Sequence, residues 1–461
     1  MKRKRTYQAG RVQQVRVDEL LPRLVTGCVV ALDVAKEKFV VALATPAGEV
    51  VTLFRFDHPT ETREFLAIVA ALRAGLEPGK VTAAMEPTGT YGDAIRHQLV
   101  GAGVPVWMVS PKRTHDSQAL FDNVSSLHDP KSAVLVAKLC AMGLATEWTA
   151  PSPTRVRLRA LVELRQHEQR REEMCFGRME GALARHWPEI GQWMDIREQR
   201  SALRLLAEYA SPSRVSADPA AVKSLLRSAS RGQLSPEAME GVVLGARSSL
   251  GMPMLPEDER VMQTLATHAL DATKRADALE EAMRELAKDD EVFARLAKWM
   301  GTYTAAVVVT LADPRQYANA RRMEKACGLN LREKSSGEHR GRLSITKRGP
   351  SLVRQVVYLF ALRMIQQSDA VRAWYVRRRG YGEESRLRAV VAVMRKLVRA
   401  LFHVAKGEVF DASKLFDVRR LALETPPAVA APKRPTARTT PRAIARGRQR
   451  AHTRKEVIAS T

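Results

Sequence analysis

Four residues have the types and settings that phosphoryl transfer needs: Asp33, Glu86, Asp129 and Ser336. Asp33 interrupts Val29-Val30-Ala31-Leu32-Asp33-Val34-Ala35, an otherwise apolar run. A carboxylate in a buried strand is costly unless it is paired or holds a metal. Reading it instead as an Asp closing a turn fits poorly with apolar residues continuing on both sides. Glu86 stands at the end of a second apolar run, just before Pro87-Thr88-Gly89, and Asp129 opens Asp129-Pro130-Lys131. Carboxylates brought together from separate elements hold Mg²⁺, because hard cations want oxygen ligands and the ion clamps attacking and leaving oxygens. Ser336 lies between Ser335 and Gly337, ringed by Lys334, His339, Arg340 and Arg342. A hydroxyl among cations is placed to attack a phosphodiester, since the cations stabilise the charge of the transition state. The same loop also reads as a turn that only contacts phosphate.

The elements that must position the three acids follow from hydrophobic patterning. Residues 29–35, 38–44 and 50–56 read as consecutive strands. Pro59-Thr60-Glu61-Thr62 then starts a helix bearing Phe65, Ile68, Val69 and Leu72. Val81 to Met85 is a strand that delivers Glu86, and a helix with Ile95, Leu99 and Val100 comes next. Val104 to Val109 is a further strand, followed by basic Lys112 and Arg113. A last helix starts at Asp129, with Pro130 at an early helical position. Three strands followed by alternating helices and strands predict a mixed sheet of the RNase H-like kind, with Asp33, Glu86 and Asp129 converging at one edge. Asp122, earlier in the loop, is a substitute acid that the spacing does not require.

The 461 residues carry a formal net charge of +25. Such an excess predicts a polyanionic partner, phosphate backbones first. Aromatics make up only 5 %, so base stacking is not the expected binding mode. Cys28, Cys140, Cys175 and Cys327 lie far apart, which suggests neither a zinc site nor a disulfide framework and fits a reducing cytoplasm. No apolar run reaches membrane-spanning length; Arg395, Lys396 and Arg399 interrupt even Ala389 to Val404.

The chain is expected to divide into a basic arm (1–24), the sheet domain (25–150), a helical coiled-coil assembly region (151–290), a mainly helical domain bearing the serine (291–425) and a disordered basic tail (426–461). Its fold class is thus α/β followed by mostly α. Met262, Leu265, Ala269, Ala272, Ala276, Leu279, Met283 and Leu286 step by threes and fours, a heptad seam packed against another helix of this chain or of a second subunit. The stretch before it, with Pro212, Pro219, Gly232, Pro236, Pro253 and Pro256, is less patterned. Gly301 turns the chain between two helices and can aim backbone N–H groups at phosphates. Lys347 and Arg348 precede another helix.

Leu32-Asp33-Val34-Ala35-Lys36, Met85-Glu86-Pro87-Thr88-Gly89-Thr90-Tyr91 and His128-Asp129-Pro130-Lys131-Ser132-Ala133 resemble the three acidic blocks of the DEDD insertion-sequence transposases. These are relatives of the Piv-type DNA invertases and are bridge-RNA-guided recombinases. Gly301 to Asp313, Gly328-Leu329 and Ser335-Ser336-Gly337 through Gly341-Arg342 resemble their C-terminal transposase domain. The resemblance implies a RuvC-like, RNase H-like domain, a helical assembly region and a nucleophilic serine. It implies Mg²⁺ on Asp33, Glu86 and Asp129, and a phosphoserine bond to DNA at Ser336, with Ser335 as the adjacent alternative. Lys334, His339, Arg340, Arg342, Lys347, Arg348, Lys112 and Arg113 would contact nucleic acid. The implied partners are DNA, a structured guide RNA and copies of the chain in a tetramer built as a dimer of dimers, in a bacterial cytoplasm near the nucleoid. One position departs from the pattern: the fourth acid falls on Ser132, a poor metal ligand. Two other readings share these residues: a hydrolytic junction nuclease with water as nucleophile, and a weakened homologue that only binds nucleic acid.

Overall fold

The computed structural model describes residues 7–416 apart from 88, 126–127, 334–340, 342 and 380–381. The chain forms two compact units, Met1–Ala150 and Pro151–Thr461. The tail beyond 416 and most of the Ser336 loop therefore lie outside the described residues.

The first unit is a seven-stranded mixed sheet with the order β1-β4-β3-β2-β5-β6-β7. Its strands are β1 (Gly10–Arg11), β2 (Cys28–Val34), β3 (Lys38–Ala44), β4 (Val50–Asp57), β5 (Val81–Met85), β6 (Val106–Val109) and β7 (Ala145–Glu147). The antiparallel meander β2-β3-β4 forms because short turns join runs rich in Val, Phe and Ala. β5 and β6 then add in parallel beside β2, each delivered by a helix: α2 (Thr62–Gly75) and α3 (Asp93–Gly101). The expected basic arm is only partly an arm. β1 pairs with β4, a short helix α1 (Val17–Leu20) follows, and Val12 and Leu24 are buried in the sheet's core. Few charges stand out in that stretch as buried, and the two apolar anchors are too far apart to show a period.

Strand alternation gives the sheet two unlike faces. One carries Val30, Leu32, Val34, Phe39, Phe56 and Met85 against Phe65, Val69 and Leu72 of α2. There Phe39, Phe56 and Phe65 stack in sequence, with centroids 5.1 and 4.7 Å apart. The other face is paved with small residues, Val29, Ala31, Ala42, Ala44 and Ala84. Such a shallow face lets a helix come close, and α5 (Asp129–Ala141) lies on it through Ala133, Val136 and Ala137. Between β6 and α5 stands the short α4 (Pro111–Asp116).

The second unit is built on an antiparallel pair of long helices. They are α6 (Pro153–His186) and α12 (Pro256–Leu286). Arg165 meets Glu280 at 3.1 Å and Glu172 accepts from Thr273 at 3.1 Å, so residue numbers rise on one helix as they fall on the other. Met262, Leu265, Ala269, Ala272, Ala276 and Met283 are buried between α12 and its neighbours. The heptad seam that the sequence left open to another subunit is thus filled by α6 and, further along, α8 of the same chain.

The stretch that reads as weakly patterned is helical: α7 (Ile190–Trp193), α8 (Arg200–Glu208), α9 (Pro212–Ala217), α10 (Pro219–Ala229) and α11 (Pro236–Arg247). Pro212, Pro219 and Pro236 begin helices instead of breaking them. Ser211, Asp218 and Ser235 each precede such a proline and accept a bond from the backbone N–H three residues on. Trp187, Leu205, Leu206, Val222 and Val242 make a core here. A second core gathers α13 (Glu291–Met300), α14 (Thr302–Leu311), α15 (Ala320–Ala326), α16 (Ser351–Gln367), α17 (Asp369–Arg378), α18 (Glu383–Ala405) and α19 (Ala412–Phe416). Among the described residues no helix is long and apolar enough to cross a membrane.

Candidate active site

Register places the first two acids. β2 and β5 run parallel, and the last pair in register is Leu32 with Met85, so Asp33 and Glu86 are the next residues of neighbouring strands. Both leave their strand on the small-residue face, two positions after Ala31 and Ala84 respectively. That is the face covered by α5, whose first residue is Asp129. Three separate segments thus carry carboxylates to the same face of the sheet.

Their charges record the proximity. Burial pushes the Asp33 carboxyl up, and the charges of Asp129 and Glu86 raise it further, to about 7. A hydrogen bond from the Val34 backbone opposes the rise only in part. Burial raises Glu86 as well, and the Thr114 hydroxyl works against it. Thr114, on α4, is 1 % exposed, and its Oγ1 completes no hydrogen bond of ordinary geometry. His128 Nδ1, one residue before Asp129, is likewise buried without a partner.

Among the described residues, no three acidic, His or Cys side chains already stand in coordinating geometry. The donor types themselves are chemically apt. They offer hard carboxylate oxygens, an Asp33 whose proton affinity is raised by burial and then by the neighbouring carboxylates, and an orphaned hydroxyl beside Glu86. These residues fit a divalent cation.

Ser132 is 7 % exposed and lies one turn beyond Asp129, on the same side of α5. An acid there would face the other three; the serine offers only a hydroxyl. Asp122 is not free to replace it, because Lys131 Nζ binds its Oδ1 at 2.9 Å.

Residues 30–188 match the DEDD transposase family of the IS110 type, described as a transposase. Residues 298–376 match a second description, transposase IS116/IS110/IS902 family. The chain belongs to the DEDD transposases of the IS110 family. No curated protein matches it. Proteins of this kind process DNA, and their DEDD domains use divalent metal ions.

Lys334, Ser335, Ser336, His339, Arg340 and Arg342 of this transposase lie outside the described residues. The ends of their loop do not. β8 (Leu331–Arg332) pairs antiparallel with β9 (Ser344–Ile345), and below them Thr346 N donates to Asn330 O and Lys347 N to Gly328 O, each at 2.9 Å. The two chain ends cross here so closely that a Cβ on Gly328 would stand 2.7 Å from Arg348 N, and one on Gly349 2.0 Å from Ala326 O. Both glycines have positive φ, +71° and +147°, which only glycine adopts readily. Below the crossing, Glu324 of α15 is 3 % exposed and held by Arg395 (2.7 Å) and Arg399 (2.5 Å) of α18. Two of the cations that interrupt the apolar run of α18, Arg395 and Arg399, therefore anchor the helix below the loop base.

The remaining basic candidates differ in their surroundings. Lys347 and Arg348 are exposed at the loop base. Lys112 pairs with Asp116 at 2.8 Å, and Arg113 donates to the Leu144 carbonyl, which ties α4 to the turn before β7. At Gly301, φ is +91° and the turn opens on a cavity of about 210 Å³ lined by Arg165, Thr302, Tyr303 and Arg363. Sequence reading passed over Thr114 and Lys131. A polar residue in a short basic helix and a lysine in an amphipathic one carry no signal by type alone.

Proposed function

We propose that this transposase excises and inserts a mobile element by DNA strand exchange, with a phosphoserine intermediate and with its DNA sites chosen by a structured guide RNA. The observation that supports the acidic half is the gathering of Asp33, Glu86 and Asp129 on one sheet face, where burial first and the charges of Asp129 and Glu86 second raise Asp33 to about 7. Asp33, Glu86 and Asp129 would hold Mg²⁺, with Ser132 adding at most a hydroxyl. When bound, the ion stabilises the negative charge that builds on the phosphate oxygens. Ser336 Oγ attacks the phosphorus, its proton passing to solvent or a nearby base. An Oγ–P bond forms as one deoxyribose O–P bond breaks, and the released oxygen takes up a proton. Lys334, His339, Arg340 and Arg342 neutralise the pentacovalent phosphate, while Lys347 and Arg348 hold the backbone beside it. Arg113 serves the fold and leaves Lys112 as the weaker contact on that side.

In the assembly, a tetramer arranged as a dimer of dimers, the serine of one subunit works beside the acids of another. In this reading catalysis falls to 25–150, assembly to 151–290, the nucleophilic serine to 291–425, and electrostatic capture of nucleic acid to 426–461.

The test is incubation of protein, guide RNA and DNA with Mg²⁺, followed by denaturing gels. Wild type forms a protein–DNA adduct that survives denaturation, and Ser336→Ala forms none while binding both nucleic acids as before. An adduct that persists in Ser336→Ala but vanishes in Ser335→Ala moves the nucleophile by one residue. Cleavage without any adduct would establish water as nucleophile and a junction nuclease instead. Binding without cleavage would mark a homologue weakened at Ser132.

A further inference from the structure

The turn of α5 that carries Asp129 is held in an unusual way. Helix starts leave four N–H groups without intrahelical partners, and a side chain at the position before the helix commonly serves one of them. His128 stands at that position and its side chain makes no such bond. Pro130 fixes one backbone angle but donates nothing. The polar anchor of this turn is Lys131. Its side chain is 3 % exposed, and its Nζ reaches Asp122 Oδ1 at 2.9 Å and Val124 O at 2.5 Å. Asp122 Oδ1 also accepts from Val124 N at 3.0 Å, so a single carboxylate oxygen gathers the bend and the ammonium. Two turns further along α5, Lys138 lies over the Phe121 ring at 4.4 Å. Two lysines seven residues apart on one side of α5 thus grip the segment 121–124.

Lys131 cannot be a ligand to the reacting groups from this position. Residues two apart on a helix point to nearly opposite sides, so Lys131 faces away from the side shared by Asp129 and Ser132. Burying an ammonium is costly unless it is paired, and here Asp122 and the Val124 carbonyl supply the partners. The ion pair holds the Asp122 carboxyl well below its ordinary range, as a strong contact should.

We propose that the Lys131–Asp122 pair is a positioning latch for the acidic site: it fixes the uncapped first turn of α5 so that Asp129 is presented to Asp33 and Glu86. The inference rests on the reading of those three acids as divalent-cation ligands. The latch matters more here than it would with a fourth acid, since Ser132 leaves Asp129 as the sole carboxylate that α5 contributes to the group.

The test uses the full chain and Mn²⁺ alone as probe. Binding is measured by titration, and backbone exchange over 128–132 by hydrogen–deuterium mass spectrometry on metal-free protein. Lys131→Met and Asp122→Ala are each expected to weaken Mn²⁺ about tenfold or more and to speed exchange in that first turn. The double variant should be no worse than the weaker single one, because both remove the same contact. Should Lys131→Met fail to fold, Asp122→Ala decides the matter by itself. Unchanged Mn²⁺ affinity or unchanged exchange in Asp122→Ala, with affinity lost in Asp129→Asn, overturns the latch alone. Unchanged affinity in Asp129→Asn too removes the acid-site reading and the latch with it.

Discussion

Asp33→Asn is the perturbation that separates a metal site from an ordinary core position. Most substitutions in a buried strand destabilise. Here the reverse is expected when no metal is present, for a reason that carries a sign. The folded Asp33 holds its proton to about pH 7, whereas the unfolded residue loses it near 3.8. Relative to the unfolded chain, the folded state therefore keeps all of its Asp33-linked stability below pH 3.8 and loses it as pH rises to about 7. A shift of that size corresponds to about 4 kcal/mol at most. Asn has nearly the same shape, can still accept the Val34 N–H, and has no charge to desolvate. In chelator-treated protein at pH 8, Asp33→Asn should be more stable by up to about 4 kcal/mol, and the gap should close toward pH 4. Adding Mg²⁺ should then stabilise wild type, by about 2.7 kcal/mol at a hundred times its Kd, and the variant far less. Two compact units in one chain make a global melt ambiguous, so the reporter must lie in the sheet. Cys28 does: it opens β2, is fully buried, and burial pushes its thiol up to about 12, so alkylation there requires the strand to open. Alkylation of the Cys28 peptide across a urea series gives the opening free energy. A variant no more stable than wild type at pH 8 without metal, or one equally stabilised by Mg²⁺, would refute the burial-and-charge argument.

Ser132→Asp should work in the opposite direction, lowering metal-free stability of the sheet at pH 8 by adding a like charge while reducing the Mg²⁺ needed for cleavage. A cleavage titration against wild type checks it, and an unchanged Mg²⁺ midpoint would mean that position 132 does not face the ion. Leu265→Glu, at 7 % exposure between α12 and its neighbours, should cost about 3 kcal/mol or more of second-unit stability; oligomer mass measured by light scattering should not drop in any fraction that stays folded. Removing residues after Thr425 should flatten the slope of log affinity against log salt for nucleic acid, and an equal slope would show that the tail makes no backbone contacts.

Much of the mixed sheet was legible because its information is local. Short apolar runs rich in Val, Phe and Ala mark β2, β3 and β5, and a carboxylate within or at the end of such a run announces its own cost, so Asp33 and Glu86 stood out. Charge excess likewise speaks for a polyanion without any fold. Other features depended on who packs against whom. The heptad period of α12 says that a helix lies alongside, but only the folded chain assigns α6 as that helix. The prolines at 212, 219 and 236 look like breaks until their preceding Ser and Asp side chains are seen capping helices. Gly10 to Leu24 reads as a basic arm because its burial rests on two separated apolar residues, Val12 and Leu24, and not on a period. Which face of β2 carries Asp33 followed from alternation; that α5 lies on that face, and not on the Phe-rich one, followed from the small residues that admit it. Lys131 is the clearest case: its type promises an exposed cation, and only the bend at Asp122 and Val124, closed over it in three dimensions, gives a buried ammonium its partners.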